Sequence, residues 1–274
     1  MSEAIGFSDK HWNLGWILQT LLFNLMCEFT FYGLWHMMTS KNAKMKPYKY
    51  NKENAYDSND ANHLSREVLY TTLGWIQSTV VHCVIMYLWA NNKLPYELNF
   101  TDQLWFNIGS IALVTYWREF HFYCVHRFMH PWWDVKNGLA QADIGAFLYR
   151  HFHSLHHKSY NPGPWSGLSM HPVEHWFLYS CTLPSFFFKL HPLQFLYCKF
   201  HLDISPIGGH DGHDSPGGGA DFHYLHHALF ECNYGVPLIP FDKLFGSWKS
   251  YSDYIKEHPE LELECKTETK KKKI

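Results

Sequence analysis

Residues 69–90 read LYTTLGWIQSTVVHCVIMYLWA, twenty-two consecutive positions without a formal charge. As a helix this run rises about 33 Å, enough to cross the roughly 30 Å hydrocarbon core of a bilayer. Uncharged runs of that length are uncommon in soluble cores, so the stretch predicts a transmembrane helix. Upstream, residues 12–38 (WNLGWILQTLLFNLMCEFTFYGLWHMM) carry a single charge, Glu28, and predict a second span. Two later stretches are weaker. Residues 104–117 (LWFNIGSIALVTYW) are short and run directly into the charged REFHFYCVHRFMH. Residues 176–200 (WFLYSCTLPSFFFKLHPLQFLYCKF) are interrupted by Pro184, Lys189 and Pro192. The expected fold is therefore all-α, an integral membrane helical bundle of about four transmembrane or re-entrant helices. The alternative is a soluble bundle that buries the same helices. A mean hydropathy of −0.29 reflects the polar, histidine-rich remainder of the chain.

The segments between the spans set an orientation. Residues 40–67 form a polar loop with Lys41, Lys44, Lys46, Lys49, Lys52 and Arg66, which the positive-inside rule puts in the cytoplasm. The chain ends KTETKKKKI, and Lys271 and Lys272 match a dilysine retrieval signal. A cytosolic C-terminus and an endoplasmic reticulum membrane address follow. The opening MSEAIGFSDK lacks a basic region followed by an apolar run, so no cleavable signal peptide is expected.

Composition excludes some classes. A net charge of −2 gives no basis for nucleic-acid binding. The seven cysteines (Cys27, Cys83, Cys124, Cys181, Cys198, Cys232 and Cys265) are scattered without a CxxC pair. That argues for reduced thiols rather than a disulfide framework or a cysteine zinc site. Aromatic residues make up 18% of the chain, as suits a protein with belts at the membrane–water interface.

The remaining signal is histidine, 21 residues in all. In HRFMH, His126 and His130 are four apart and share a helix face. His153, His156 and His157 in HSLHH, and His223, His226 and His227 in HYLHH, follow an i, i+3, i+4 spacing. Read as helices, each group directs its rings toward a shared centre. Eight imidazoles exceed what one ion takes, so two ions are expected, each held by four or five nitrogens. Imidazole alone does not choose between iron, zinc, copper and nickel. Two further groups are candidates for an additional ligand or a supporting role. In SMHPVEHW, Pro172 should start a helix, making His171 a cap, with Glu174 and His175 following. In GGHDGHD, His210 and His213 lie in a glycine-rich loop beside Asp211 and Asp214. Glu119, Glu174, Asp211, Asp214 and Asp221 are the carboxylates expected to hold imidazole N–H groups. Trp117, Trp165, Phe222 and Tyr224 are candidate walls of a substrate pocket. Arg118 and Arg127 flank the first box, where they could meet a lipid headgroup or a partner's carboxylate, or snorkel to the interface.

Together these boxes, with WREFHFYCVHRFMH, NPGPWSGLSMHPVEH, FHYLHHALFECNYG and FDKLFGSW, resemble the fatty acid hydroxylase/sterol desaturase superfamily over roughly residues 70–250. The likeness is to its sterol desaturase-like branch of membrane di-iron, histidine-box enzymes. The resemblance implies a cytosolic histidine-rich helical cap holding two iron ions beside the membrane. It implies O2 as oxidant, and electrons from NAD(P)H through cytochrome b5 and its reductase. It implies a membrane lipid substrate, sterol ahead of fatty acyl, entering from the bilayer. It also carries His210 over as a ligand, from a pattern that HDGHD fits, whereas His213 falls where the family often has an aromatic. The run DVKNGLAQADIG (134–145) is long beside the family, and the loop from His210 to His223 is short beside sterol C4-methyl oxidases.

The expected layout has three parts. Residues 1–68 would form an N-terminal membrane helix and polar cytosolic loop, 69–250 a fatty acid hydroxylase-like catalytic domain, and 251–274 a polar tail. The expected activity is an O2-dependent lipid hydroxylase or desaturase, most readily a sterol C-5 desaturase or sterol oxidase. The rivals are a fatty acyl hydroxylase or desaturase, a zinc-dependent membrane hydrolase, and a non-catalytic member serving as subunit of a membrane complex. No HExxH motif supports the hydrolase.

Overall fold

The computed structural model describes residues 13–50, 62–132, 143–214 and 219–261. Among these the chain is helical, with extended backbone only in isolated bridges. The N-terminal stretch, much of the polar loop, most of the run 134–145, part of SPGGGAD and the dilysine end lie outside the described residues.

Helices α1 (Leu14–Met38) and α2 (His63–Ala90) pack against each other, and both are long and apolar enough to cross a bilayer. Asn13 starts α1 by accepting from the Trp16 N–H at 3.0 Å. The buried stripe of α1 is Asn24, Glu28, Tyr32 and His36, four residues apart, while Leu14, Leu22, Met26, Leu34 and Met37 lie exposed. A soluble helix does the reverse. Polar groups inside and hydrocarbon outside is the arrangement that a lipid surround stabilises. The interior groups pair across the hairpin: Asn24 Nδ2 donates to Thr79 Oγ1 and Thr72 Oγ1 donates to Glu28 Oε1, each at 2.8 Å.

The third apolar stretch is longer than the sequence suggested. Helix α3 runs unbroken over Leu104–Phe128 and carries His126 on its last turn. The fourth does not form one helix. It divides into α6 (Pro172–Tyr179), α7 (Pro184–Phe187) and α8 (Pro192–Ile204), each opened by a proline. Proline has no N–H to continue a helix but fits its first turn, so Pro184 and Pro192 each end one element and begin the next.

Helices α1, α2, α6 and α8 meet at Asp203. Its carboxylate accepts from Lys199 Nζ at 2.6 Å and Ser78 Oγ at 2.9 Å, and its carbonyl accepts from Tyr32 Oη at 2.7 Å. Tyr179 Oη donates to the Gly74 carbonyl at 2.9 Å. A Cβ at position 74 would lie 2.7 Å from the His175 ring, so glycine is what lets α6 pack this close to α2.

Above this bundle sit the short elements that carry or frame the clustered histidines. They are α4 (Ile144–Leu148), a π turn over Tyr149–His153, α5 (Ser154–His157), α9 (Pro206–Gly209), α10 (Ala220–Leu229), α11 (Phe241–Phe245) and α12 (Tyr251–Glu257). The chain leaving α1 pairs with the loop after α9: Tyr50 N donates to the Gly212 carbonyl at 3.0 Å and Asp214 N to the Tyr48 carbonyl at 2.8 Å.

Candidate metal centre

Nine histidines come together above the bundle, none more than 6% exposed. The end of α3 delivers His126 and His130, the π turn and α5 deliver His153, His156 and His157, the loop after α9 delivers His210, and α10 delivers His223, His226 and His227. They form two groups. His126, His130, His153, His157 and His226 make one, and His156, His210, His223 and His227 the other. Within each group the candidate ligand atoms all lie within 4.8 Å of one another.

This corrects the expectation that each histidine box faces a single centre. Only residues four apart share a helix face closely, whereas adjacent residues diverge by about 100°. His153 and His157 therefore serve the first group while His156 turns to the second. On α10, His223 and His227 serve the second group while His226 turns to the first. Each HX2HH box straddles both groups.

The facing atoms are nitrogens. His157 Nε2 lies 3.0 Å from His153 Nε2, 3.1 Å from His226 Nε2 and 3.3 Å from His130 Nε2. His126 Nε2 lies 3.1 Å from His153 Nε2, and in the second group His210 Nε2 lies 3.2 Å from His156 Nε2. Four of the opposite ring nitrogens meet acceptors that cannot donate, while Nδ1 of His156, His157 and His227 has no hydrogen-bond partner among the described residues. His126 Nδ1 faces the Tyr234 carbonyl and His226 Nδ1 the Cys232 carbonyl, both at 2.6 Å. His153 Nδ1 faces Glu174 Oε1 at 2.7 Å, and His210 Nδ1 faces the Pro206 carbonyl at 2.9 Å. A proton on each of these four Nδ1 atoms leaves a lone pair on Nε2, three of them turned into the first group and that of His210 into the second.

Neutral imidazoles cannot satisfy one another in that arrangement. Among the described residues His223 Nε2 and both nitrogens of His227 have no hydrogen-bond partner at all. A cation bound about 2.0–2.2 Å from one nitrogen of each ring would take up the lone pairs turned into the group. The residues present therefore fit two metal ions, one per group. Burial, then the neighbouring imidazoles, lowers the pKa of His130, His156, His157, His223 and His227 well below the usual histidine value, and that of His210 by burial and His156. His226 is held down at about 3 by burial. All stay neutral at pH 7 and available as ligands.

The other candidates sort by what they touch. Of the five carboxylates, Glu174 alone holds a clustered imidazole. Glu119 pairs with Arg118, and Asp221 accepts from the Phe222 N–H at 2.8 Å. Asp211 accepts from Trp35 Nε1 at 3.2 Å and from the His213 N–H at 2.9 Å. Asp214 meets Tyr50 Oη at 3.4 Å. Outside both groups lie His213, turned to the Asp211 carbonyl at 2.6 Å, and His171, which caps α6 by accepting from the Val173 N–H at 3.1 Å. His175 is also outside them, against Gln77 Oε1 and the Leu168 carbonyl, each at 2.9 Å. Arg118 does not snorkel: it is buried and donates to Ser205 Oγ at 2.6 Å. Arg127 donates to the Pro131 carbonyl at 2.9 Å.

Beside the imidazoles lies a cavity of about 620 Å³, within the range of small-molecule pockets. His126, His153, His156, His210 and His223 line one part, and Phe122, Met129, Leu168, Met170 and Leu202 give it apolar walls. Leu238 lines the cavity and is also exposed, marking its mouth. Of the four aromatics read as pocket walls, Phe222 alone is one. Trp165 packs on Tyr32, Tyr224 stacks on Tyr50, and Trp117 donates to the Cys181 carbonyl at 2.8 Å, all away from the cavity.

Sequence reasoning missed Asp242. Its carboxylate accepts from the N–H groups of Tyr234 and Gly235 at 2.8 Å and from Ser247 Oγ at 2.6 Å. It thereby fixes the backbone whose carbonyl orients His126. This is what the aspartate of FDKLFGSW does.

The fatty acid hydroxylase family matches residues 111–247, which include all nine clustered histidines. Lathosterol oxidase of Rattus norvegicus is 27% identical over 219 residues, 76% of this chain and 68% of that protein. A Delta(7)-sterol 5(6)-desaturase of Gibberella zeae is 25% identical over 56% of this chain and 42% of its own length. A putative Delta(7)-sterol-C5(6)-desaturase of Arabidopsis thaliana is 32% identical over 50% of this chain and 47% of its own. The match thus spans less than half of the fungal and plant relatives. No solved structure matches.

Proposed function

Because the chain belongs to the fatty acid hydroxylase family, we propose that it is a membrane di-iron oxidoreductase that uses O2 to oxidise a lipid C–H bond. A Δ7-sterol is the leading substrate and C5–C6 desaturation the leading outcome, in keeping with the names of its relatives. One observation carries the reading: two buried sets of converging imidazoles border a largely apolar cavity. His126, His130, His153, His157 and His226 would hold one iron, and His156, His210, His223 and His227 the other. Bound there, the irons would supply the O2 chemistry that an unactivated C–H bond demands and that no side chain can provide.

The chain's own residues do the rest. Carbonyls of Tyr234, Cys232 and Pro206, with the Glu174 carboxylate, orient the rings and set their tautomers. Phe122, Leu168 and Met170 exclude water and hold hydrocarbon beside the imidazoles. The same proposal includes an endoplasmic reticulum membrane location, with the histidine cap and C-terminus in the cytosol. It also includes α3 and the α6–α8 pieces as further membrane-embedded elements, and electrons from NAD(P)H through cytochrome b5 and its reductase.

The test is lipid mass spectrometry of cells lacking their own sterol C5-desaturase, with and without this chain. Loss of Δ7-sterol and appearance of the Δ5,7-diene supports the reading. Changed fatty acyl hydroxylation with unchanged sterols would replace sterol by acyl substrate. Unchanged lipids around iron-loaded protein, with reductant supplied, would favour a non-catalytic subunit.

A further inference from the structure

The cavity has a second polar end, away from the imidazoles. Along α3 the lining residues run from Arg118 and Glu119 through Phe122 to His126, and along α8 and α9 from His201 through Ser205 to His210. Both walls therefore pass from a polar pole to a metal pole. The helical rise separates Glu119 from His126 by about 10 Å along α3. Phe122 fills the interval, with the Arg118 guanidinium carbon 5.3 Å from its centroid on one side and the His126 ring 5.1 Å away on the other. Arg118 joins the two walls at the polar pole by donating to both Glu119 and Ser205.

A buried ion pair in an apolar wall is costly unless its remaining hydrogen-bonding capacity is used. Here it is not. Arg118 Nε and Glu119 Oε2 have no hydrogen-bond partner among the described residues, though both side chains are more than nine-tenths buried. What completes such a pair follows from its charge. The pair sums to zero and offers both donors and an acceptor. A carboxylate or phosphate would set a second negative charge beside Glu119. A bare hydrocarbon end would leave the pair unsatisfied. A neutral hydroxyl can donate to the carboxylate and accept from the guanidinium together.

We propose that Arg118, Glu119 and Ser205 form a hydroxyl-binding subsite. The lipid would be held as a neutral alcohol, its hydroxyl at this pole and its hydrocarbon turned toward the imidazoles. The inference rests on the proposed lipid oxidase function and narrows its substrate to alcohols over free acids and acyl phosphates.

The experiment uses the full-length protein in nanodiscs, with binding measured for two radiolabelled pairs: lathosterol against its 3-O-methyl ether, and 1-octadecanol against stearate. The wild type should hold each alcohol at least tenfold more tightly than its counterpart. Ser205→Ala and Glu119→Gln should cut that ratio to within about twofold while iron content stays at the wild-type level. Equal binding of alcohol and ether, or tighter binding of stearate than of octadecanol, overturns the subsite. So does a ratio that survives in a folded, iron-loaded S205A. If E119Q does not fold, the wild-type ratios and S205A decide. Absence of lathosterol binding would sink the sterol substrate alone, and the octadecanol–stearate ratio would then decide the subsite. Absence of binding by either alcohol overturns it.

Discussion

His153 and Glu174 form the link between the α6 scaffold and the imidazole clusters, with Nδ1 2.7 Å from the carboxylate and Nε2 3.0 Å from His157 Nε2. The carboxylate fixes the tautomer and makes the inward nitrogen a better donor to a cation. Glu174→Gln keeps the shape but removes the charge. It should weaken metal binding by roughly 10–100-fold, read by chelator competition, while leaving helix content unchanged. Wild-type affinity in E174Q would show that the carboxylate is only structural.

His227 and His171 are both histidines of the cap region, yet they should behave differently. With both ring nitrogens unpartnered among the described residues, His227 is proposed as a ligand of the second group. His227→Ala should lower bound iron and leave the first group loaded. His171 caps α6, so His171→Ala should cost about 1 kcal/mol of stability and leave iron unchanged. The pair is compared by metal analysis together with thermal unfolding. A drop in iron in H171A, or none in H227A, would reverse the assignment.

Asp242 accepts two hydrogen bonds from the segment that orients His126 and a third from Ser247 Oγ. Bonds to a buried carboxylate contribute about 1.5–3 kcal/mol each, and not additively. Asp242→Ala should therefore destabilise the protein by several kcal/mol, while Asp242→Asn retains part of it. Unfolding in detergent checks this, and a Tm within a degree or two of wild type would count against the role.

Acid should act through the rings that burial holds below the usual histidine value, His130, His156, His157, His210, His223, His226 and His227. Well above pH 6.5 they are neutral both folded and unfolded, so there they contribute little pH dependence. Below it the unfolded chain takes up protons that the folded chain refuses, and stability falls as pH falls. Each fully depressed ring withdraws up to about 1.36 kcal/mol per pH unit, and His226 does so down to about 3. Chelator-treated protein should lose Tm steadily between pH 6.5 and 5 and show little change between 7 and 8. A flat profile through pH 5 would mean that the rings are not buried as described.

Much of this was legible in the sequence, for identifiable reasons. Residues 69–90 announce a helix long and apolar enough to cross a membrane, because hydrocarbon tolerates no charge over that length. The boxes announce metal because imidazoles four apart share a helix face. That same arithmetic, carried one residue further, separates His156 from His157 and His226 from His227, and so divides each box between two groups. Pocket walls were less legible. Tyr224 adjoins His223 in the chain but stacks on Tyr50, and Trp165 faces the core, because direction depends on tertiary packing. The carbonyls of Tyr234 and Cys232 were invisible because every residue has one.

Iron stoichiometry decides whether the two imidazole groups hold two metal ions. Protein purified from iron-supplied cells without chelators should carry two irons per chain. His130→Ala and His223→Ala should each lower that number. A chain with zinc alone, or with full iron retained in both variants, would contradict the account.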